Sequence, residues 1–243
     1  MRLKNKLGQV FVSVSVLFSI NLSYAGATIL QISTSEARRP SVIMSEKILS
    51  LAYAQLGITI RLVPVPAARA LAMWNSNLLD GIAVRIIDIG FVDTIRVNIP
   101  IAYEDAVVFT SKKQFQVNGY ASLKPYVVGY MAGVSYLEDR LKDIPQKEAA
   151  PSIESLFRKL DVGRTDVVVE SRSSLCTAKS LGYERISILE PSLEKRMGYH
   201  YLHLRHKALA LTLEQVLSEM EKDGRIKKIQ DEVARDFIQN CPQ

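Results

Sequence analysis

The chain reads as an α/β protein of two similar lobes around a cleft. Three observations predict this. Residues 152–170 place Ile153, Leu156, Phe157 and Leu160 at helical spacing, then a glycine, an aspartate, three valines and Glu170. Residues 67–85 repeat the plan about 85 positions earlier: a helix, Asp80-Gly81, the run Ile82-Ala83-Val84, and Arg85. Around both, apolar strands alternate with amphipathic helices, the βαβ rhythm of a parallel sheet. A short β-branched apolar run suits a strand buried on both faces. In open α/β sheets ligands sit beyond the carboxyl ends of strands. Arg85 and Glu170 would each occupy such an end, a cation on one wall of the cleft and an anion on the other.

The elements follow in order. Residues 28–33 form a first strand that runs into a polar loop, 34–40. Residues 41–56 are an amphipathic helix with Ile48, Leu51, Ala52 and Leu56 on one side and Gly57 as its C-cap. A second strand covers 58–63, and Pro64 and Pro66 bracket the turn into the helix 67–79. The third strand is 80–85. Residues 86–98 are looser, and 106–110 is a further strand. Lys112, Lys113 and Asn118-Gly119 break the pattern, which puts the first crossing between lobes near Ser111.

The second lobe opens with a strand at 126–130, a turn at Met131-Ala132-Gly133 and a helix at 134–142. In the stretch 152–170, Ser152 follows Pro151 as the N-cap of the helix, Gly163 ends it, and Asp166 opens the strand. A short helix at 173–181 and a strand at 186–189 follow. Residues 198–204 alternate and read as the return crossing, after which helices at 209–223 and 226–237 complete the first lobe. The expected division is therefore 26–110 with 203–243 as lobe 1, and 111–202 as lobe 2. Two strand-like crossings are what hinge closure around a ligand requires.

The N-terminus reads as an export signal. Arg2, Lys4 and Lys6 precede an apolar run at 10–20 and a small-x-small site, Ser23-Tyr24-Ala25. A signal peptide over 1–25 is expected, with a periplasmic mature chain from Gly26. The apolar run is about 11 residues against the roughly 20 that span a bilayer. Removing three basic residues leaves 28 against 25 acidic ones, a net charge of +3. No dense Lys/Arg stripe with interleaved aromatics is present, so no nucleic-acid partner is expected. Two cysteines remain, Cys176 and Cys241. An oxidising compartment allows a disulfide between them; a buried thiol at 176 and a tail thiol at 241 is the other reading, and both stay open.

The pattern resembles the bacterial extracellular solute-binding proteins of family 3, the periplasmic partners of amino-acid transporters. The residues that carry the likeness are the polar loop after strand one, Arg69-Ala70-Leu71 with Asp80-Gly81, and Gly163-Arg164-Thr165-Asp166 with its strand. The tail 213–229 adds a helix, Asp-Gly and a second helix. The likeness spans the mature chain. It implies a type II periplasmic-binding-protein fold, in which each lobe is a mostly parallel sheet flanked by helices and two hinge crossings join them. It implies a monomer that captures a small polar solute, amino-acid-like or a carboxylate, by hinge closure for an inner-membrane permease of the ABC type or for a sensor. Amino-acid binders of this family carry Thr-x-x-Arg, whose arginine grips the ligand carboxylate; residues 89–94 (IGFVDT) lack it. Arg85 or Arg96 would take that role. Glu170 sits where the family often has the acidic residue that holds an α-amino group.

The expected ligand-binding residues are Ser33, Ser35, Glu36, Arg69, Arg85, Tyr103, Gly133, Val134 and Glu170. A guanidinium at Arg85 would bind a carboxylate bidentately; its structural alternative is a salt bridge to Asp80 or Asp88. Glu170 would pair with a ligand ammonium, or structurally with Arg172 or Arg164. Ser33, Ser35 and Glu36 lie beyond strand one. Gly133 and Val134 offer backbone N–H groups at a helix start. Tyr103 is an aromatic candidate for the cleft wall, whereas Trp74, in mid-helix, belongs to the core. On a strand His200 and His203 face opposite ways, so with His206 they make no metal site. No metal or cofactor is expected, and GxSxG, GxGxxG and P-loop elements are absent. Binding without covalent chemistry is the leading reading. A dehydratase-like enzyme with Glu170 as acid/base and a solute-sensing module of a membrane signalling protein are the alternatives.

Overall fold

The computed structural model describes residues 29–86 and 92–241; the expected signal peptide lies outside them. Its strands form one continuous path, β2-β1-β3-β9-β5-β8-β6-β7, with β4 added on β9. The first half holds β1 (Leu30–Thr34), α1 (Pro40–Gln55), β2 (Ile60–Pro64), α2 (Ala67–Asn75), β3 (Gly81–Arg85) and β4 (Thr94–Arg96). β5 (Ala102–Thr110), β6 (Val128–Met131), α3 (Ser135–Arg140), β7 (Lys147–Ala150), α4 (Ile153–Asp161), β8 (Val167–Ser171) and α5 (Ser174–Ser180) follow. β9 (Ser187–His203), α6 (Lys207–Lys222) and α7 (Arg225–Asn240) end the chain.

Two sheets meet on β9. In lobe 1, β1 pairs parallel with β2 and with β3. In lobe 2, β6 pairs parallel with β7 and with β8. β9 runs antiparallel to β3 and β4 in lobe 1 and to β5 in lobe 2: residues 187–198 lie on β5 and residues 199–203 on β3 and β4. The fold is the expected two-lobed, periplasmic-binding-protein-like α/β architecture. The chain passes between lobes twice, side by side, where Ile101 N–H donates to Gly198 O (2.9 Å) and Val97 N–H to His200 O (3.0 Å).

The pairing corrects the expected lobe limits. Residues 102–110 were expected in lobe 1, yet they pair with β8 and β9 in the lobe 2 sheet. The crossing therefore lies near 101, not 111, and the return near 198. β9 is also one strand of 17 residues instead of two. Pro191 and the run Glu194-Lys195-Arg196 resemble a loop in sequence, but they lie at and beyond a register shift that β5 spans. α2 stops at Asn75 instead of 79, and Asn77 takes a left-handed φ of 57° that no helix accepts. This turn drops Leu79 fully into the core.

Each lobe has its own core. α1 lays Ile48, Leu49, Ala52 and Tyr53 on the lobe 1 sheet beside Leu213, Leu217 and Met220 of α6. Lobe 2 buries Val108, Val167 and Val169 on one sheet face, and Phe109, Phe157 and Val168 on the other. The predicted double burial of the valine strand is thus met, each side chain being worth roughly 1.5–3 kcal/mol. The Ser152 hydroxyl caps α4 by accepting the Ser155 N–H at 3.1 Å. Trp74 is 2% exposed, as expected of a core residue. Among the described residues no helix is long and apolar enough to cross a membrane.

Candidate functional site

Both cysteines are joined in a disulfide, Cys176 to Cys241, with Cα atoms 5.1 Å apart. The site itself lies nearby, where the carboxyl end of β8 faces the start of α1.

Three fully buried valines carry β8 to Glu170. The Glu170 Oε1 accepts the Ser171 N–H at 2.8 Å, and the Ser174 hydroxyl at the start of α5 also reaches the carboxylate. Burial lifts the Glu170 pKa above the usual carboxylate range. Glu104 adds to the rise; the Ser171 amide, Arg39 and Ser174 oppose it without cancelling it. Neither Arg172 nor Arg164 pairs with it: Arg172 bridges Asp105 and Glu190, and Arg164 binds Glu148.

Residues from four other elements converge on this end. Glu104 of β5 accepts a hydrogen bond from the Ser41 hydroxyl of α1 at 3.1 Å. Arg196 of β9 stands opposite Glu104 in register. Its guanidinium carbon lies 3.6 Å from the centre of the Tyr136 ring of α3. Burial raises the Tyr136 pKa, Arg196 lowers it, and Glu170 and Glu104 raise it further. Arg39, the exposed N-cap residue of α1, completes the set from lobe 1. Two carboxylates, a phenol, two guanidiniums and two hydroxyls therefore meet between the lobes. A ligand ammonium there would meet acceptors, and a ligand carboxylate would meet Arg39.

The other expected residues are placed as follows. Ser33 is buried and its hydroxyl donates to Gly81 O at 3.4 Å, tying β1 to β3. The Ser35 hydroxyl accepts the Ala37 N–H at 3.2 Å within an exposed turn, and Glu36 is exposed beside it. Arg69 is exposed in the first turn of α2. Arg85 ends β3 half-buried; burial lowers its pKa and Tyr201 opposes that. Asp80, one expected partner, is held instead by Arg205 (2.9 Å) and His206 (2.7 Å), and Asp88, the other, lies outside the described residues. Arg96 is exposed, donates to Asn98 at 3.0 Å and lies 4.7 Å over the Tyr199 ring. The Gly133 N–H donates to the Glu138 carboxylate at 3.1 Å, so α3 supplies its own anion at this loop, beside half-buried Val134. Tyr103 packs with Met44 and Val233 under the Lys195 ammonium, 3.9 Å from its ring. Of the nine, only Glu170 stands in the convergent cluster.

Sequence reasoning missed Arg39, Ser41, Glu104, Tyr136 and Arg196. Glu104 left no signal of its own, being one of two adjacent carboxylates, Glu104-Asp105, in the strand Ala102–Thr110. The three histidines make no metal cluster among the described residues. His200 is fully buried. Its Nδ1–H donates to Ile82 O (2.8 Å), so its Nε2 accepts the Tyr53 hydroxyl (2.9 Å). Burial lowers its pKa to about 4.

No protein-family profile matches the chain. An uncharacterized protein of Shewanella oneidensis is 30% identical over 202 residues, covering 79% of this chain and 76% of that one. The chain belongs to the same family as that protein. Among solved structures, the L-cystine solute receptor of Neisseria gonorrhoeae in its unliganded open conformation superposes with a TM-score of 0.66 at 12% identity, over 86% of this chain and 93% of the receptor. The BvgS VFT2 domain of Bordetella pertussis gives 0.58 at 13%, over 84% and 92%. At these identities the likeness is one of fold: two lobes of the periplasmic-binding-protein type, a scaffold shared by transport receptors and sensor domains.

Proposed function

We propose that the chain is a periplasmic solute-binding receptor that closes on a small amino-acid-like or cationic solute and presents it to an inner-membrane permease of the ABC type or to a sensor. The observation that carries this reading is the half-buried Glu170 carboxylate at the end of β8, facing Arg39 of the other lobe. Hinge closure works by differential affinity: a ligand bridging both walls favours the closed state by the contacts it gains there. Glu170 is the residue assigned to the solute's ammonium, and Arg39, in preference to Arg85 or Arg96, to its carboxylate. The lobes in this reading divide near 101 and 198, and the signal peptide directs export and is removed after Ala25.

The test is a thermal-shift screen of the protein from Gly26 onward against amino acids, small carboxylic acids, polyamines and short peptides. A ligand at a hundred times its Kd stabilises by about 2.7 kcal/mol. The expected hit is a zwitterion or polyamine whose affinity drops at least about tenfold in Glu170→Gln. A zwitterion should also lose affinity in Arg39→Ala, more than in Arg85→Ala. A hit indifferent to Glu170→Gln overturns the site. The raised Glu170 pKa also favours one second reading, acid/base chemistry on a prephenate-like acid. Turnover of such an acid, abolished by Glu170→Gln, would select it.

A further inference from the structure

The disulfide joins two parts that the chain otherwise holds in different lobes. Cys176 lies in α5, whose Leu175 and Ala178 pack with Phe157 and Val168 of lobe 2. Cys241 follows α7, whose Ile226 and Ile229 pack against Ile48 and Ala52 of α1, and whose Val233 packs against Met44. The last turn of α7 reaches across, and the Cys176 sulfur sits 3.5 Å from Phe237 O. The bonded residues are 65 positions apart in sequence, and β9, the return crossing, runs between them. α5 is also the helix whose first residue, Ser174, reaches Glu170.

From this placement we propose that the Cys176–Cys241 bond is a covalent strap between the lobes that limits their relative rotation, so that the redox state of one bond sets the hinge amplitude. Without the strap the lobes are linked by the chain passages near 101 and 198, which lie side by side and act as one flexible seam. A link displaced from that seam removes rotational freedom that the seam permits. Because the strap grips α5, it also fixes the helix that orients Glu170. The inference uses the two-lobed hinge of the proposed function but no property of its solute.

The experiment therefore needs no ligand. Spin labels carried on a non-cysteine handle at the exposed positions Gln55 of lobe 1 and Lys142 of lobe 2 report the inter-lobe distance. A control pair at Gln55 and Leu78 lies within lobe 1. In the oxidised protein the inter-lobe distribution should be narrow. It should broaden in Cys176→Ala/Cys241→Ala and in the wild type reduced below its melting temperature, with the control pair unmoved. The reduced wild type keeps the test open should the double variant fail to fold. An unchanged inter-lobe distribution together with a lower melting temperature would make the bond a terminal staple and overturn the strap. Two titratable thiols in protein exported and purified without reductant would also overturn it. A missing solute in the screen above leaves this result untouched, so the two proposals fail separately.

Discussion

The ends of β3 and β8 share one sequence plan and differ in space. Each is a buried apolar strand closing on a charged residue, and each follows a helix and an aspartate that ties back to a neighbouring strand. Asp80 accepts the Gln31 N–H at 2.8 Å, and Asp166 accepts the Val127 N–H at 3.0 Å. Yet Arg85 ends opposite Tyr199 after a register shift against β9, beside Tyr201. Glu170 ends in regular register with Val107 and faces hydroxyls, a second carboxylate and the opposite lobe. The lesson is that the sheet partner, not the strand, decides where a terminal charge points. β3 borders β9, the strand that carries the chain between lobes, and its register shifts there before Arg85. β8 borders β5, the first strand of its own lobe, and its end meets Ser174, Glu104 and Arg39.

The difference can be probed from the largest effect down. Beside β3, His200 is neutral and fully buried, with a pKa near 4 against 6.5 for an exposed imidazole. A depressed histidine binds its proton more readily in the unfolded chain. Its contribution is complete above pH 6.5 and is lost as pH falls toward 4, by up to about 3 kcal/mol. Melting temperature measured between pH 7 and 4 should fall accordingly, and His200→Gln should flatten that part of the profile. A profile unchanged by the substitution would show that another group carries the acid sensitivity.

The next effect is at the crossing itself. A Cβ on Gly198 would lie 2.6 Å from Val84 Cγ2 and 3.4 Å from the Ala102 Cβ. Gly198→Ala should cost about 1–3 kcal/mol, read by denaturant unfolding, through overpacking at the end of β3. A Cβ on Gly129, beside β8, would meet Val168 at 3.0 Å, Leu156 at 3.1 Å and Thr165 at 3.3 Å, none as close as Val84 to Gly198, so Gly129→Ala should cost less. Equal costs would remove the claim that the two strand ends differ in packing.

The smallest effect is at the open end. A buried carboxyl with a raised pKa holds its proton more tightly folded than unfolded. Its ionisation therefore costs stability as pH rises from the unfolded value through the raised folded one. Glu170→Gln should thus raise the melting temperature of the ligand-free protein at neutral pH while weakening solute capture. A loss of stability instead would mean that the carboxylate is a structural partner and not a held-open binding group.

Most elements were legible because their cores are built from local periodicity. The helices at α4 and α6 and the strands at β1, β3 and β8 follow from apolar spacing; α1 is a helix as expected, but its buried face takes Ile48 and Ala52 with Leu49 and Tyr53 and leaves Leu51, expected inside, exposed. β7 was not expected, since Lys147-Glu148-Ala149-Ala150 shows little apolar alternation and becomes a strand only by pairing with β6. The continuity of β9 was hidden by its proline and its charges. Of the cluster around Glu170 only Glu170 itself was legible. Arg39, Ser41, Glu104, Tyr136 and Arg196 lie on four elements spread over more than 150 positions, and no local pattern marks their meeting.

The amino-acid sequence by itself determined the two-lobed α/β class, the order of helices and strands, and the buried strand that delivers Glu170. These depend on hydrophobic spacing and turn residues, which act over a few positions. Only the tertiary structure decided which lobe owns β5, that Arg39 and not Arg85 faces Glu170, and that Cys176 and Cys241 meet across the lobes. Each of those depends on long-range pairing and register, where one residue of slip turns every side chain to the other face of the sheet.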